Sequence, residues 1–159
     1  MVIRTGFGYD VHQLKEGNKL FIGGVEIFHY RGVVAHSDGD VLIHAICDAL
    51  LGAACLGDIG VHFPDTSDEY KNIDSKLLLA KTIEKIRTEG YNIENIDSTV
   101  CLQTPKLKDY IQLMRETLAD VCSINSNQVS VKATTTEKLG FVGKEEGIEA
   151  FSVVLIRKD

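Results

Sequence analysis

Residues 2–9 alternate between bulky and small or polar side chains, which is the two-residue period of a β-strand. Phe7 and Tyr9 fall on one face of this strand, whereas Gly6 and Gly8 fall on the other. The apolar segments that indicate further strands lie at 20–27, 96–102, 128–134 and 148–157. In the first of these, two adjacent glycines indicate a bulge or a close approach of another segment.

Three segments show the helical period instead. Ser37 with Asp40 three residues later indicates a helix start, and this helix ends near Gly52. A second helix is predicted over 74–89, and a third opens at Thr104-Pro105. The apolar faces of the three helices are Val41, Leu42, Ala45 and Ala49; Leu79, Ile83 and Ile86; and Leu107, Ile111, Met114 and Leu118.

The resulting order of elements is β-β-α-α-β-α-β-β. It predicts a single α+β domain over residues 1–159, a two-layer sandwich with helices on a mixed sheet of about four to five strands. Residues 56–73 lie outside this periodicity and are rich in Gly, Asp and Ser. We interpret them as a long loop, and loops longer than about 12–15 residues in compact domains are usually functional or disordered.

Composition narrows the class of protein. The chain of 159 residues is 44% hydrophobic and carries a net charge of -6, which is atypical of a nucleic-acid-binding or lipid-binding surface. Its apolar runs are too short for a membrane helix, and its N-terminus does not resemble a signal or transit peptide. The four cysteines form no C-x-x-C pair, so we interpret them as buried thiols in a reducing compartment. A cytoplasmic location is expected, with a processed chain in a plastid-type organelle as the alternative.

Asp10 and His12 form the first candidate cluster. Positions i and i+2 of a strand share a face, so a carboxylate and an imidazole would point the same way and could grip a metal ion. Gly6 and Gly8 lie on that same face and leave space beside the pair. On its own, such a pair is more typical of a solvated strand end.

The second cluster lies on the first predicted helix, where Asp40, His44 and Asp48 form one row at i, i+4 and i+8. A lone histidine among apolar positions is more often a core residue than a metal ligand. Here, however, either aspartate could orient its second ring nitrogen, as carboxylates do for metal-bound imidazoles. His36 and Ser37 are expected at the helix N-terminus, where backbone amides favour an anion. Together with the strand pair, His44 completes three ligands and leaves a tetrahedral position open, which is typical of catalytic zinc.

The third cluster is the segment 134–137, three threonines followed by a glutamate. Threonine hydroxyls and turn amides suit phosphate oxygens, and the Glu137 carboxylate suits Mg²⁺. The same residues could equally form only a capped turn between strands. The segment 102–108 is weaker, because its two lysines could be plain surface charge. The residues by themselves therefore indicate metal-assisted phosphate chemistry without naming a substrate.

Four motifs, in this order, resemble the 2-C-methyl-D-erythritol 2,4-cyclodiphosphate synthase family over essentially the whole chain. They are GxGYDVH at 6–12, HSDGDVxxHAxxDALLGA at 36–53, GDIGxxFPDT at 57–66 and KATTTEKLGFxG at 132–143. The resemblance implies an enzyme that converts 4-diphosphocytidyl-2-C-methyl-D-erythritol 2-phosphate to the cyclic diphosphate and CMP. The 2-phosphate of the substrate is the nucleophile, which is consistent with the lack of a serine or cysteine constellation.

By the same resemblance, Asp10, His12 and His44 bind zinc, and Glu137 binds Mg²⁺ or Mn²⁺ between the α- and β-phosphates. His36 and Thr135 are implied to stabilise the transition state. The residues implied to bind substrate are Ser37, Asp58, Ile59, Gly60, Phe63, Pro64, Asp65, Thr66, Ser67, Leu102, Gln103, Thr104, Pro105, Lys106, Leu107, Lys108, Thr134, Thr136, Phe141 and Lys144.

The family also implies a homotrimer with active sites between subunits. Lys144 departs from the family pattern, since an arginine is common at this position. Lysine keeps the positive charge but cannot form the two parallel hydrogen bonds of a guanidinium group. Val61-His62 and the segment 28–31 also differ, which affects only fine substrate contacts and any isoprenoid diphosphate site on the trimer axis.

Two other functions are compatible with these residues. Two histidines and one carboxylate also form the facial triad of mononuclear iron oxygenases. Such sites usually lie on all-β scaffolds, whereas His44 is predicted on a helix, and an oxygenase leaves the threonine segment unexplained. The other alternative is a trimeric, metal-stabilised module that binds nucleotides without turning them over.

Overall fold

The computed structural model describes residues 1–64, 66 and 68–159. Its strands are β1 (Val2–Glu16), β2 (Leu20–Ile22), β3 (Val25–Ile27), β4 (Arg31–Val33), β5 (Asn92–Cys101), β6 (Val129–Thr134) and β7 (Gly147–Lys158). Its helices are α1 (Val41–Ala53), α2 (Ile59–His62), α3 (Ser75–Thr88), α4 (Ile111–Cys122) and α5 (Gly140–Gly143). Single 3₁₀ turns lie at Asp68–Tyr70, Lys108–Tyr110 and Ser126–Gln128.

The main sheet has five strands in the order β4-β1-β7-β5-β6. Strands β5 and β6 pair in parallel, and the other neighbours are antiparallel. Strands β2 and β3 form a separate two-stranded hairpin. The predicted α+β fold with helices on a mixed sheet is therefore confirmed.

Helix α1 lies at the centre of the core and is buried along its length except at His44, Asp48 and Gly52. It packs on β1 and β7 on one side and against α3 on another. The opposite face of β1 exposes large apolar side chains, among them Ile3 and Phe7. The helices thus cover one face of the sheet and leave apolar residues on the other.

Several predicted boundaries were wrong. Strand β1 continues past residue 9 to Glu16, because β7 pairs with it as far as Gln13 and β4 takes over from Leu14. The predicted single strand 20–27 is two strands, because Gly23 and Gly24 both have positive φ and form a tight turn.

The helical boundaries also differ from the predictions. Helix α1 begins at Val41 with Asp40 as its N-cap, so the predicted start at Ser37 was too early. The predicted loop 56–73 contains α2 and a 3₁₀ turn. The third long helix begins at Ile111, because residues 102–107 form an irregular connection with a bend at 103–105, and a 3₁₀ turn precedes the helix.

All four cysteines are free thiols. Cys47, Cys101 and Cys122 are buried as predicted, whereas Cys55 is exposed and accepts a hydrogen bond from Arg4 Nη1. The expectation of four buried thiols was therefore wrong at one position. Within the described residues, no helix is both long enough and apolar enough to cross a membrane.

Candidate active site

The two glycines before Asp10 allow helix α1 to lie directly on strand β1. A Cβ at Gly8 would stand 1.9 Å from the carbonyl oxygen of Ala45, and one at Gly6 would stand 1.9 Å from that of Ala49. Bulkier residues at these positions would therefore push the helix away. Because the helix backbone lies so close, the residue before Ala45, His44, reaches Asp10 two positions farther along the strand.

The side chains of Asp10, His12 and His44 converge as the sequence predicts. One ligand atom from each lies within 4.8 Å of the others. Nδ1 of His44 is 3.1 Å from Oδ2 of Asp10, and Nδ1 of His12 is 2.9 Å from the same oxygen. The three side chains are partly buried, with exposed fractions of 24%, 16% and 12% for Asp10, His12 and His44.

The arrangement fits a divalent metal ion. Nδ1 of His12 is buried, and across residues 1–64, 66 and 68–159 it has no hydrogen-bond partner despite its short distance to Asp10. A buried polar atom without a partner is costly unless another ligand satisfies it. Two imidazole nitrogens and one carboxylate oxygen form the three-ligand set of catalytic metal sites, with a further coordination position open to a substrate.

Asp10 and His44 perturb each other's pKa values. Burial raises the pKa of Asp10, but the contacts with His12 and His44 outweigh burial and hold it below its ordinary value. Burial lowers the pKa of His44, but the hydrogen bond and charge of Asp10 outweigh burial and raise it. Both shifts have the same cause, which is the attraction between a negatively charged Asp10 and a positively charged His44 ring.

The other ring nitrogen of His44 has different neighbours from those predicted. Its Nε2 is 3.1 Å from Oγ of Ser75 and 3.3 Å from Oγ of Ser37. The prediction that Asp40 or Asp48 contacts this nitrogen was wrong, because both carboxylates bind backbone amides instead. Ser75 was not predicted, because no periodic pattern in the sequence relates the start of α3 to position 44.

Asp40 and Asp48 fix the loops around the site. Asp40 is fully buried and accepts hydrogen bonds from the backbone N–H groups of Gly23 and Gly24 in the β2–β3 turn and of Ile43 in α1. Asp48 accepts one from the N–H of Ile59, at 2.7 Å, and so attaches the first residue of α2 to α1. Both residues support the centre through the backbone rather than through the ring of His44.

A cavity of about 460 Å³ opens beside the three ligands. Besides the ligands, it brings together five predicted site residues, which are His36, Ser37, Ile59, Gly60 and Phe63. Its remaining walls, which the sequence analysis missed, are Ala35, Tyr70, Ile73 and Leu78. Three of them are aliphatic and the fourth is a tyrosine outside the recognised motifs, so only their position in the fold identifies them.

A second cavity of about 320 Å³ collects another predicted group. Its walls include Leu102, Gln103, Pro105, Lys106, Leu107, Lys108, Thr134 and Thr135, together with Ala133 and Ile111. His36 and Thr135, both implied to act on the transition state, thus line different cavities of one chain.

The other predicted residues that the structure describes are not among the walls of these two cavities. Asp58 is the N-cap of α2, and its carboxylate accepts a hydrogen bond from the N–H of Val61. Pro64 and Thr66 follow α2, and Thr104 precedes Pro105. Asp65 and Ser67 lie outside the described residues.

The threonine segment forms a turn after β6. The Glu137 side chain is exposed and accepts a hydrogen bond from Thr135 Oγ1, while Thr136 Oγ1 donates to the carbonyl of Leu139. Phe141 lies in α5, and Lys144 follows α5 and is exposed. Within a single chain, Glu137 is therefore not part of the group formed by Asp10, His12 and His44.

The fold and the site define an α+β protein with a cleft built around two imidazoles and a carboxylate able to hold a divalent metal. A model of the YgbB family matches residues 3–157. The chain is 61% identical to the 2-C-methyl-D-erythritol 2,4-cyclodiphosphate synthase of Bacteroides thetaiotaomicron, over the full length of both. The chain belongs to the YgbB family of 2-C-methyl-D-erythritol 2,4-cyclodiphosphate synthases.

Solved structures agree with this assignment. The bifunctional IspDF from Campylobacter jejuni matches with a TM-score of 0.96 and 46% identity; the match covers 99% of this chain and 43% of that protein. A CDP complex of IspF from Plasmodium falciparum matches with a TM-score of 0.87 and 36% identity, over 99% of this chain and 97% of that one.

Proposed function

We propose that this protein converts 4-diphosphocytidyl-2-C-methyl-D-erythritol 2-phosphate into 2-C-methyl-D-erythritol 2,4-cyclodiphosphate and CMP, as a single synthase domain. An oxygen of the substrate's 2-phosphate attacks the β-phosphorus, and the bond from that phosphorus to the oxygen shared with the α-phosphate breaks. The electrons of that bond leave with CMP. The observation that carries the proposal is the Asp10–His12–His44 centre, found in a chain 61% identical to a synthase of this name.

The side chains of Asp10, His12 and His44 are the ligands for zinc. When bound, zinc supplies a Lewis acid for the β-phosphate. Glu137 is the ligand for a second cation, Mg²⁺ or Mn²⁺, since an exposed carboxylate suits a hard ion shared with phosphate oxygens. With the nucleophile supplied by the substrate, the protein's task is to orient the phosphates and to neutralise their charge.

The two cavities divide the substrate between them. The cavity at the metal ligands holds the methylerythritol phosphate, with Ser37, Ile59 and Gly60 along its wall. The second cavity, at residues 102–108 and Thr134, holds the cytidine diphosphate. His36 and Thr135 donate hydrogen bonds to the charge that develops during transfer, one from each cavity.

A homotrimer joins one subunit's metal cavity to its neighbour's nucleotide cavity. The support is the sheet face opposite the helices, where Ile3, Phe7, Tyr9, Val11 and Val153 are between 41% and 63% exposed. Exposed apolar residues gathered on one face are typical of an interface between copies of a chain. Light scattering is expected to give three times the mass of one chain.

A cytoplasmic location fits the four free thiols, because unpaired cysteines are typical of proteins in a reducing compartment. The relatives compared above from Bacteroides and Campylobacter are bacterial.

A ³¹P NMR time course with the diphosphocytidyl substrate tests the function directly. With zinc and Mg²⁺ present, we expect the signals of the cyclic diphosphate and CMP to grow together as the substrate disappears. His44→Ala is expected to abolish this turnover, because a ligand is lost. His29→Ala removes a histidine in the β3–β4 turn and serves as the matched control with normal turnover.

Three results would contradict the proposal. Tight CDP binding without CMP release would favour a binding module. Oxygen uptake by the iron-loaded protein would favour an oxygenase. Full turnover after exhaustive chelation would exclude a metal-dependent reaction.

A further inference from the structure

A hydrogen-bonded chain runs from His44 away from the metal ligands, through Ser75 to Asp38. Ser75 is the first residue of α3 and is fully buried. Its backbone N–H donates to Oδ2 of Asp38 at 2.9 Å, and its hydroxyl donates to Oδ1 of the same carboxylate. On its other side, Oγ of Ser75 is 3.1 Å from Nε2 of His44.

The number of hydrogens available on Ser75 determines which group donates in each of these hydrogen bonds. A serine hydroxyl has one hydrogen, and that of Ser75 is used by Asp38. Towards His44 the Ser75 oxygen can therefore only accept, so Nε2 of His44 must carry the hydrogen. The lone pair of the neutral ring is then on Nδ1, the nitrogen that faces Asp10 at 3.1 Å.

Ser37 is compatible with the same direction. Its Oγ lies 3.3 Å from Nε2 and already accepts a hydrogen bond from the N–H of Gly39. It is therefore a second, longer acceptor for the same N–H. Since Ser75 is buried and binds Asp38 through both its main chain and its side chain, it is the better fixed of the two.

We propose that Ser75 and Asp38 are positioning residues that hold His44 with Nε2 as a hydrogen-bond donor and Nδ1 as the metal ligand. The inference rests on the metal centre of the proposed function, not on the reaction. Carboxylates that bind a ligand histidine through its other nitrogen set the orientation and basicity of the ring. Here the carboxylate of Asp38 acts through one intervening hydroxyl.

A purely structural role is the alternative to be excluded. Asp38 also donates its backbone N–H to the carbonyl of Ile73, and the N–H of Asn72 donates to the carbonyl of His36. The contacts of Ser75 could therefore serve only to attach residues 36–40 to the start of α3. Such a role predicts lower stability but no change at the ring of His44.

The test combines zinc affinity with NMR of the His44 ring in the full-length protein. We expect the zinc-loaded wild type to show Nδ1 bound to the ion and a hydrogen-bonded Nε2–H in long-range ¹H–¹⁵N spectra. In Ser75→Ala that N–H resonance should shift and exchange faster. Zinc affinity, measured by competition with a chelating dye, should fall about 10–100-fold.

Asp38→Asn is the second variant, because an amide cannot accept both hydrogen bonds from Ser75, and we expect the same direction of change. Ser152→Ala is the matched control. It removes another buried serine hydroxyl, one that is bonded to Ser98 inside the sheet, and should leave zinc affinity and the His44 spectrum unchanged.

Two results would overturn the inference. One is a wild-type spectrum in which zinc binds Nε2 of His44, which needs no variant. The other is a folded Ser75→Ala or Asp38→Asn protein whose Nε2–H resonance is unchanged, even if its stability is lower. Failure of the cyclisation with zinc affinity and spectra as expected would contradict the proposed reaction and leave this inference standing.

Discussion

The side chain of His44 is held at both ring nitrogens, and the two partners differ in kind. Asp10 faces Nδ1 with a carboxylate, whereas Ser75 faces Nε2 with a hydroxyl. Metal and proton therefore compete for the same nitrogen, next to Asp10, while the other nitrogen keeps its hydrogen bond in either state.

Asp10→Asn tests the charge coupling in the metal-free protein. Asp10 has a lowered pKa, so its contribution to stability is present above its ordinary value of 3.8 and is lost as pH falls through the lowered value. His44 has a raised pKa, so its contribution is present below 6.5 and is lost as pH rises through the raised value. The loss of unfolding free energy in the variant should therefore be larger at about pH 5 than at about pH 8.5.

Urea unfolding at the two pH values measures this difference. Asp97→Asn is the control, because Asp97 also has a lowered pKa but its charged partner is a lysine, Lys132, rather than a histidine. Its effect should be equal at the two pH values. If Asp10→Asn also lost the same unfolding free energy at both pH values, the charge interaction between Asp10 and His44 would be contradicted.

Asp40 presents a different case, since its carboxylate binds backbone amides rather than the ring of His44. Replacing it by alanine leaves three backbone donors without their acceptor, two of them in the β2–β3 turn. At roughly 1–3 kcal/mol for each unsatisfied buried group, Asp40→Ala should cost several kcal/mol of unfolding free energy. Asp74→Ala removes the N-cap of α3 instead and should cost about 1 kcal/mol. Similar losses in the two variants, measured by urea unfolding, would refute this account of Asp40.

At the scale of elements, the site depends on how closely α1 approaches β1. Gly8→Ala should destabilise the protein by at least about 1–3 kcal/mol, because its Cβ would overlap the backbone carbonyl of Ala45. It should also weaken zinc binding, because displacement of α1 moves His44 away from Asp10. Thermal unfolding and chelator competition measure the two effects.

Gly52→Ala is the matched control for this substitution. Gly52 lies in α1, the helix that packs against Gly8, and an added Cβ at Gly52 would meet open space. Alanine should stabilise the helix by about 0.5–1 kcal/mol and leave zinc affinity unchanged. If both glycine variants behaved alike, close approach at Gly8 would not be the cause.

The elements that the sequence predicted well are those with a long, clear period. Helix α1 has apolar residues all round and a single polar row, so its existence and its two partly exposed residues, His44 and Asp48, follow from spacing. The three candidate metal ligands follow from the same argument, because each is placed by the period of one element. The ends of elements were less predictable, since the residues from Thr104 to Lys108 contain a good helix-start signal that the fold does not use.

What the sequence could not indicate are contacts between elements. Asp38 and Ser75 are 37 positions apart, and Asp48 and Ile59 meet across the turn that follows α1. Likewise, Asp40, His44 and Asp48 lie in one row along α1 as predicted, but neither aspartate binds the ring of His44. Both aspartates accept hydrogen bonds from backbone amides instead, and the periodicity of the sequence does not predict these contacts.

At the scale of the molecule, the predicted substrate residues fall into two separate cavities, and the proposed homotrimer, which joins cavities of neighbouring subunits, predicts complementation between defective chains. His44→Ala disables the metal cavity, and Ala133→Trp fills the nucleotide cavity. Each variant alone should be inactive. Refolded together in equal amounts, they should recover about a quarter of wild-type activity, because a trimer built from both contains some sites with two intact halves.

The same amounts of the two variants, refolded and assayed separately, are the control and should stay inactive. An inactive refolded mixture would mean that each chain uses its own two cavities.

The ligands of the centre come from positions 10, 12 and 44, so no short peptide of this chain contains the complete set. Only the docked strand and helix can bind the ion strongly, and any ion bound therefore favours the folded chain over the unfolded one. At a free zinc concentration 100 times the dissociation constant, this linkage adds about 2.7 kcal/mol. Removal of the ion would accordingly cost this chain twice, once in the proposed catalysis and once in the durability of its fold.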